Sequence, residues 1–185
     1  MRDPEPDRRK AVAEALGAAQ RLGALGDRPI PAVIDHSERF VEALADVTGV
    51  VADLGSGGGV PGLVVAACRP DLEVVLVDRR TNRTDFLDRM VRRLGWDDQV
   101  TVRAVDAEQL IRQAGGTFDA AVARGFGPPD VTLSVAARLV RPGGVIVISE
   151  PPHGDRWPRE LVDRLGVVRD VGPRGVARFV RRSVP

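Results

Sequence analysis

Cysteine and lysine are nearly missing from this 185-residue chain: Cys68 and Lys10 stand alone. A single thiol excludes an intrachain disulfide framework. No apolar run approaches the ~20 residues that a membrane-spanning helix needs. The opening MRDPEPDRRK sets acids and prolines where a secretory signal requires an apolar core, so a cytoplasmic protein is expected. The two histidines, His36 and His153, lack companions at metal-ligand spacing, and no metal is expected. An excess of one charge is missing too. The 27 basic and 26 acidic residues leave a net +1 and a sequence pI near 8.0, below the value of about 9 that marks many nucleic-acid-binding domains. Charge therefore neither establishes nor excludes RNA. What positive charge exists is almost all arginine, whose planar fork suits phosphates and carboxylates.

Hydrophobic residues make up 43% of the chain and charged residues 29%, the composition of a globular domain. The length fits one domain over 1–185, with a helical portion at 1–48 and a core at 49–185. Helical spacing of Val12, Leu16, Ala19 and Leu22 predicts a helix from Asp7 to Leu25, and a second follows Pro31 through Leu44. Beyond these, apolar runs alternate with amphipathic stretches: VVADL then a helix from about Val60, EVVLVD then a helix over 80–94, VTVRA then a helix near 107–113. FDAAVA precedes a helix near 129–140, and GVIVIS one near 156–165. This rhythm implies βαβ units and a parallel sheet, an α/β fold. After Gly166 it breaks, because Gly172-Pro173-Arg174-Gly175 joins two strand-like runs as a hairpin turn. The expected core is thus a Rossmann-like, mostly parallel sheet with a C-terminal antiparallel hairpin edge, preceded by N-terminal helices.

The stretch VVADLGSGGGVPGL at 50–63 places five glycines and a proline where the first core strand hands over to a helix. Open α/β sheets bind ligands there, outside the strands' carboxyl ends. Main-chain amides at residues 55–59, and Gly55, Gly57 and Gly59 in particular, are expected to cradle the ligand. Asp78 ends the second core strand, 19 residues beyond Gly59, where a carboxylate can accept both hydrogen bonds of a ribose diol. A turn-forming Asp is the plainer alternative. Asp53, two positions before the first glycine, favours S-adenosylmethionine over a dinucleotide: its carboxylate can face the methionine ammonium, whereas a pyrophosphate would be repelled.

The segments DLGSGGGVPGLVVA, VVLVDRRTNRTDFLDRMVRRLG, VDAEQL and FDAAVARGFGPPDVTLSVAARLVRPGGVIVI, in that order, resemble the RsmG (GidB) family of small-subunit rRNA guanine-N7 methyltransferases over residues 50–149. The resemblance implies a class I methyltransferase with S-adenosylmethionine as cofactor. It implies that Gly55 and Val60 line the cofactor loop, that Ala107 and Glu108 lie beside the adenine, and that Arg124 stands at the active-site end of the fourth core strand. The chain departs from the family in two places. Its N-terminal helical portion, residues 7–35, is a shortened version of the longer basic segment that the family usually carries. After the fifth core strand Ser149-Glu150-Pro151-Pro152-His153 stands where the family tends to carry a lysine-glycine pair.

Guanine N7 offers a free lone pair and needs no general base, so no catalytic side chain is assigned. Expected phosphate contacts are Arg8, Arg9 and Lys10 in the first helix, Arg28 beyond it, and Arg156 and Arg159 after the fifth strand. Asp85–Arg89 and Asp88–Arg92, four apart on one helix, read as intrahelical pairs. Trp96 and Trp157 could stack on a base or pack in the core. Small-subunit rRNA is the expected partner. A small-molecule methyltransferase on the same core and a non-catalytic cofactor-binding module are the alternatives.

Overall fold

A computed structural model describes residues 4–151 and 156–183, with the side chains of residues 4–6 excepted; Pro152 and His153 lie outside the described residues. The elements run α1 (Pro4–Arg21), α2 (Ile30–Ala43), β1 (Gly49–Leu54), α3 (Gly62–Cys68), β2 (Leu72–Asp78), α4 (Thr81–Leu94), β3 (Val100–Ala104), α5 (Ala107–Ala114), β4 (Phe118–Ala123), α6 (Pro129–Leu139), β5 (Val140–Ser149), α7 (Arg159–Arg164), β6 (Val167–Asp170) and β7 (Val176–Arg181). They form one seven-stranded sheet in the order β3-β2-β1-β4-β5-β7-β6. β1 to β5 pair in parallel, and β7 inserts antiparallel between β5 and β6. The expected hairpin edge is present.

Period-two alternation divides the strands between two apolar layers. Val51, Ala120 and Val122 face a cluster shared with α1 to α4, while Ala52, Leu54, Ala121 and Ala123 face one shared with α5 to α7. Val12, Leu16 and Ala19 of α1 and Phe40 of α2 sit fully buried in the first cluster, so the N-terminal helices cover the sheet directly. Arg178 of β7 ties the end of α2 to the sheet. Its Nε donates to the Ala43 carbonyl at 2.9 Å, one terminal nitrogen donates to both carboxylate oxygens of Asp46 at 2.7 Å, and the other pairs with Asp170.

The differences from expectation fall at element ends. α1 stops at Arg21 rather than Leu25, because Gly23 (φ 70°) turns the chain left-handed and Ala24 N–H donates back to the Ala19 carbonyl. α3 begins at Gly62, after the loop, and α7 begins at Arg159 because Pro158 occupies its N-cap and disfavours helix at the preceding residue. β5 starts four residues before GVIVIS, reaching Phe118 across a register shift.

Candidate functional site

At the carboxyl ends of β1, β2 and β4 the glycine loop closes on itself. Gly55 and Ser56 N–H both donate to the Val77 carbonyl, at 2.8 and 2.9 Å. Gly57 N–H donates to Asp78 Oδ2 at 3.1 Å, and Gly59 and Val60 N–H donate to the Ser56 carbonyl. The amides at 55, 56, 57 and 59 are therefore spent inside the protein, which corrects the expectation that they cradle a ligand: they make the loop rigid. Only glycine serves at two positions. At Gly59 (φ 100°) a Cβ would lie 2.4 Å from Leu63 Cδ1, and at Gly62 one would lie 2.3 Å from Leu76 Cδ2.

Beside the loop opens a cavity of about 610 Å³, with Gly55, Asp78, Arg83, Ala107, Glu108 and Phe126 in its wall. Asp78 ends β2 with its side chain almost sealed. Oδ1 accepts from Arg80 N–H at 2.9 Å, and Arg83 stands 3.4 Å from Oδ2. Glu108 opens α5 one residue after Ala107 and pairs with Arg138 at 2.9 Å in solvent. Asp53, Gly57, Gly59 and Val60 are buried and outside this wall. Asp53 instead forms the floor of the loop, fully buried, with Oδ2 accepting from Gly62 N–H at 3.0 Å and Oδ1 without a partner. Burial pushes its carboxyl up to about 7; the Ser56 side chain, the Gly62 N–H and Arg124 oppose this and the charge of Asp78 adds to it. A buried, unpaired carboxylate oxygen is costly to the fold unless a donor or cation meets it.

Across Gly125, Phe126 and Gly127, which belong to both walls, lies a second cavity of about 520 Å³. It gathers Arg28, His36, Arg124, Arg156 and Arg174 with Ser149 and Glu150. His36 Nε2 is 3.0 Å from Ser149 Oγ. Burial lowers the His36 pKa, and the charges of Arg124, Arg28 and Arg39 lower it further, which favours the uncharged ring. Arg124, at the end of β4, is half-buried with Nη1 unpartnered; burial and Arg28 lower its pKa while Asp53 opposes them.

Of the six expected phosphate contacts, the structure brings only Arg28 and Arg156 to this cavity. Arg8 turns inward, donating to the Ala66 carbonyl at 2.8 Å and to Gln99 while its guanidinium stacks 4.2 Å over Trp96, so both Arg8 and Trp96 are core groups. Arg9 pairs with Glu38 at 3.1 Å. Lys10 lines a separate groove against α2 and α4. Arg159 meets Asp163 at 3.6 Å in solvent. Trp157 packs edge-on to Phe179, with Nε1 donating to Glu150 at 2.7 Å. On α4 Asp88 pairs with Arg92, and among the described residues Asp85–Arg89 does not close. Sequence reasoning missed His36, Ser149, Phe126 and Arg174. Arg174 sits inside the glycine-proline turn that marks the hairpin, the only signal that could have drawn notice to it.

Among the described residues no group of three His, Cys, Asp or Glu side chains could hold a metal, and no helix is long and apolar enough to cross a membrane.

The strand order, the glycine loop after β1 and the acid closing β2 define the Rossmann-like fold of the class I, S-adenosylmethionine-dependent methyltransferases. A solved Precorrin-6y C5,15-methyltransferase from Geobacter metallireducens superposes with a TM-score of 0.60 at 14% identity, over 80% of this chain and 87% of that one. The chain belongs to the GidB family, described as rRNA small subunit methyltransferase G, whose family model matches residues 32–153. Proteins named "Ribosomal RNA small subunit methyltransferase G" from Frankia casuarinae and Mycolicibacterium gilvum are 37% and 31% identical, over 76% and 96% of this chain. The chain spans about half the length of most of the curated relatives it matches: 54% of the Frankia protein, although 86% of the Mycolicibacterium one.

Proposed function

We propose that the chain transfers a methyl group from S-adenosylmethionine to a guanine N7 of small-subunit rRNA, in the cytoplasm. The observation that carries this is the pair of cavities sharing the Gly125–Gly127 wall, one closed by Asp78 and the other ringed by arginines.

The residues present suit the cofactor. Asp78 retains acceptor capacity for a ribose diol, Ala107 and Glu108 flank the place of an adenine, and the unpaired Oδ1 of Asp53 at the loop floor calls for a positive charge at the methionine end. Arg124, in the wall of the second cavity next to the shared Gly125–Gly127 segment, is the cation nearest in sequence to that wall and would meet the methionine carboxylate. Gly57, Gly59 and Val60 act indirectly by holding the loop that Gly55 presents. When bound, S-adenosylmethionine supplies an electrophilic methyl on a sulfonium.

The chain's contribution is to hold the acceptor in line with that methyl, an effect worth up to about 7–11 kcal/mol. No side chain need remove a proton, because N7 attacks through its own lone pair. His36, in the wall of the second cavity, offers a ring nitrogen for a hydrogen bond to the base. Reaching N7 requires a base extruded from its stack, with cations on the flanking phosphates.

The test is mass spectrometry of rRNA nucleosides from cells with and without the gene, with restoration by purified protein and methyl-labelled cofactor on small subunits. Loss and restoration of N7-methylguanosine supports the reading. An unchanged level overturns it, and label transferred to no acceptor would make the chain a binding module.

A further inference from the structure

The arginines of the second cavity come from four unconnected segments: Arg28 from the α1–α2 loop, Arg124 from the end of β4, Arg156 from the approach to α7 and Arg174 from the β6–β7 turn. Among the described residues the only acid in the wall, Glu150, is already shared between Trp157 Nε1 at 2.7 Å and Arg169 at 3.0 Å. Arg156 is tethered through a bond of 2.7 Å to the Ser149 carbonyl. Among the described residues the guanidiniums of Arg28 and Arg174 have no hydrogen-bond or ion-pair partner, and Nη1 of Arg124 is buried without one.

The backbone at Arg28 is nonetheless held in place. Gln20 Nε2 donates to the carbonyls of Gly26 at 2.7 Å and Arg28 at 2.9 Å, and the loop rests on Gly58, where an added Cβ would meet the Ala24 carbonyl at 3.0 Å. The charge of Arg28 acts unfavourably on both Arg124 and His36. Arg28 and Arg174 are exposed, so water screens part of the repulsion among these cations, and an anion bound between them would offset the rest.

The geometry points to a phosphate site: we propose that Arg28 and Arg174 grip a phosphodiester flanking the acceptor nucleoside, presenting its base across Gly125–Gly127 toward the cofactor cavity. The proposal deepens, and rests on, the reading of the acceptor as an RNA nucleotide.

The test is calorimetric titration of the full chain, loaded with S-adenosylhomocysteine, with guanosine 3′,5′-bisphosphate and with guanosine. The bisphosphate is expected to bind at least about tenfold tighter, because two arginines contribute charge-assisted bonds to it. That gain should shrink as salt rises from about 50 to about 200 mM. Arg28→Gln and Arg174→Gln should each remove most of the gain while leaving S-adenosylhomocysteine affinity within about twofold. Equal binding of the two probes overturns the proposal, as does a gain that survives in the double variant, or inorganic phosphate binding as tightly as the bisphosphate. A parallel loss of S-adenosylhomocysteine affinity in the variants also overturns it, assigning these cations to the cofactor carboxylate. If S-adenosylhomocysteine fails to bind the native chain, the proposed function falls, while the same two probes on the unloaded protein still decide the phosphate site.

Discussion

The cavity on the cofactor side takes its walls from the ends of neighbouring strands: the loop after β1, Asp78 closing β2 and the opening turn of α5 after β3. The cationic cavity beside it collects single side chains from the α1–α2 loop, α2, β4, the approach to α7 and the β6–β7 turn. The first is held by main-chain hydrogen bonds and close glycine contacts that tolerate little change. The second is held by a few side-chain tethers around unneutralised charge. Rigidity is thus concentrated where an invariant ligand would sit, and replaceable arginines where an acceptor would. Substitutions of the loop glycines on the cofactor side should cost stability and binding together, whereas those on the acceptor side should cost binding alone.

The hardest blow to the cofactor half is Gly59→Val. A β-branched residue at φ 100°, with its Cβ 2.4 Å from Leu63, combines backbone strain with overpacking. We expect a loss of roughly 4 kcal/mol or more, read as a collapse of the denaturation midpoint with no measurable cofactor uptake. A near-native midpoint would mean that the loop can relax and that its rigidity is not what shapes the site.

Asp53→Asn separates stability from binding in that same half. The folded carboxyl sits at about 7 against 3.8 for an ordinary one, so between those values the native state holds a proton that the unfolded state releases. Native stability therefore falls as pH rises from about 4 to about 7. The amide variant escapes this penalty and should be more stable than the parent at pH 8, by on the order of 3 kcal/mol, with no gain at pH 4. Its cofactor affinity should drop. In the parent, affinity should climb as Asp53 ionises near pH 7 and decline again as the ligand's own amine deprotonates at about 8. Denaturation and calorimetry across pH 5–9 read both curves. Parent and variant profiles of the same shape would remove Asp53 from the cofactor's charge balance.

This contrast also governs what could be read from the residues alone. The strands, their order of appearance and the hairpin edge were legible because period-two alternation and turn residues are local signals. That Gly55, Asp78, Ala107 and Glu108 share one cavity wall was legible because each follows a strand within a contiguous motif. The commitment of the loop amides was not, since it depends on how Val77 and Asp78 sit beside the loop. On the acceptor side residue type alone was available, and type does not distinguish Arg8, stacked on Trp96, from Arg28, open to the cavity. His36 and Arg174 lie 138 positions apart and share a wall only because β7 inserts beside β5. Long-range placement of this kind leaves no spacing to recognise.

A smaller effect sharpens the role of Asp78. Asp78→Asn puts an NH₂ where an oxygen now accepts from Gly57 or Arg80 N–H, and removes one acceptor from a ribose diol. We expect cofactor affinity to fall by about 10- to 100-fold, with a stability loss of about 1–2 kcal/mol. Calorimetry with S-adenosylhomocysteine checks the first and thermal denaturation the second. Unchanged affinity would leave Asp78 as a brace for the loop alone.

The smallest effect belongs to Arg159, and its near absence is informative. Its side chain is 92% exposed and its partner Asp163 is 50% exposed, so the pair is screened by water and should contribute at most a few tenths of a kcal/mol. Arg159→Ala should leave both the denaturation midpoint and methyl transfer to small subunits within error, while Arg174→Gln lowers transfer with a similarly unmoved midpoint. Both are exposed arginines near the same end of the molecule, differing in whether they face the cavity. If the Arg159 variant lost transfer as severely as the Arg174 variant, acceptor binding would follow from diffuse positive charge over that end, and the four-segment cavity would lose its claim to specificity.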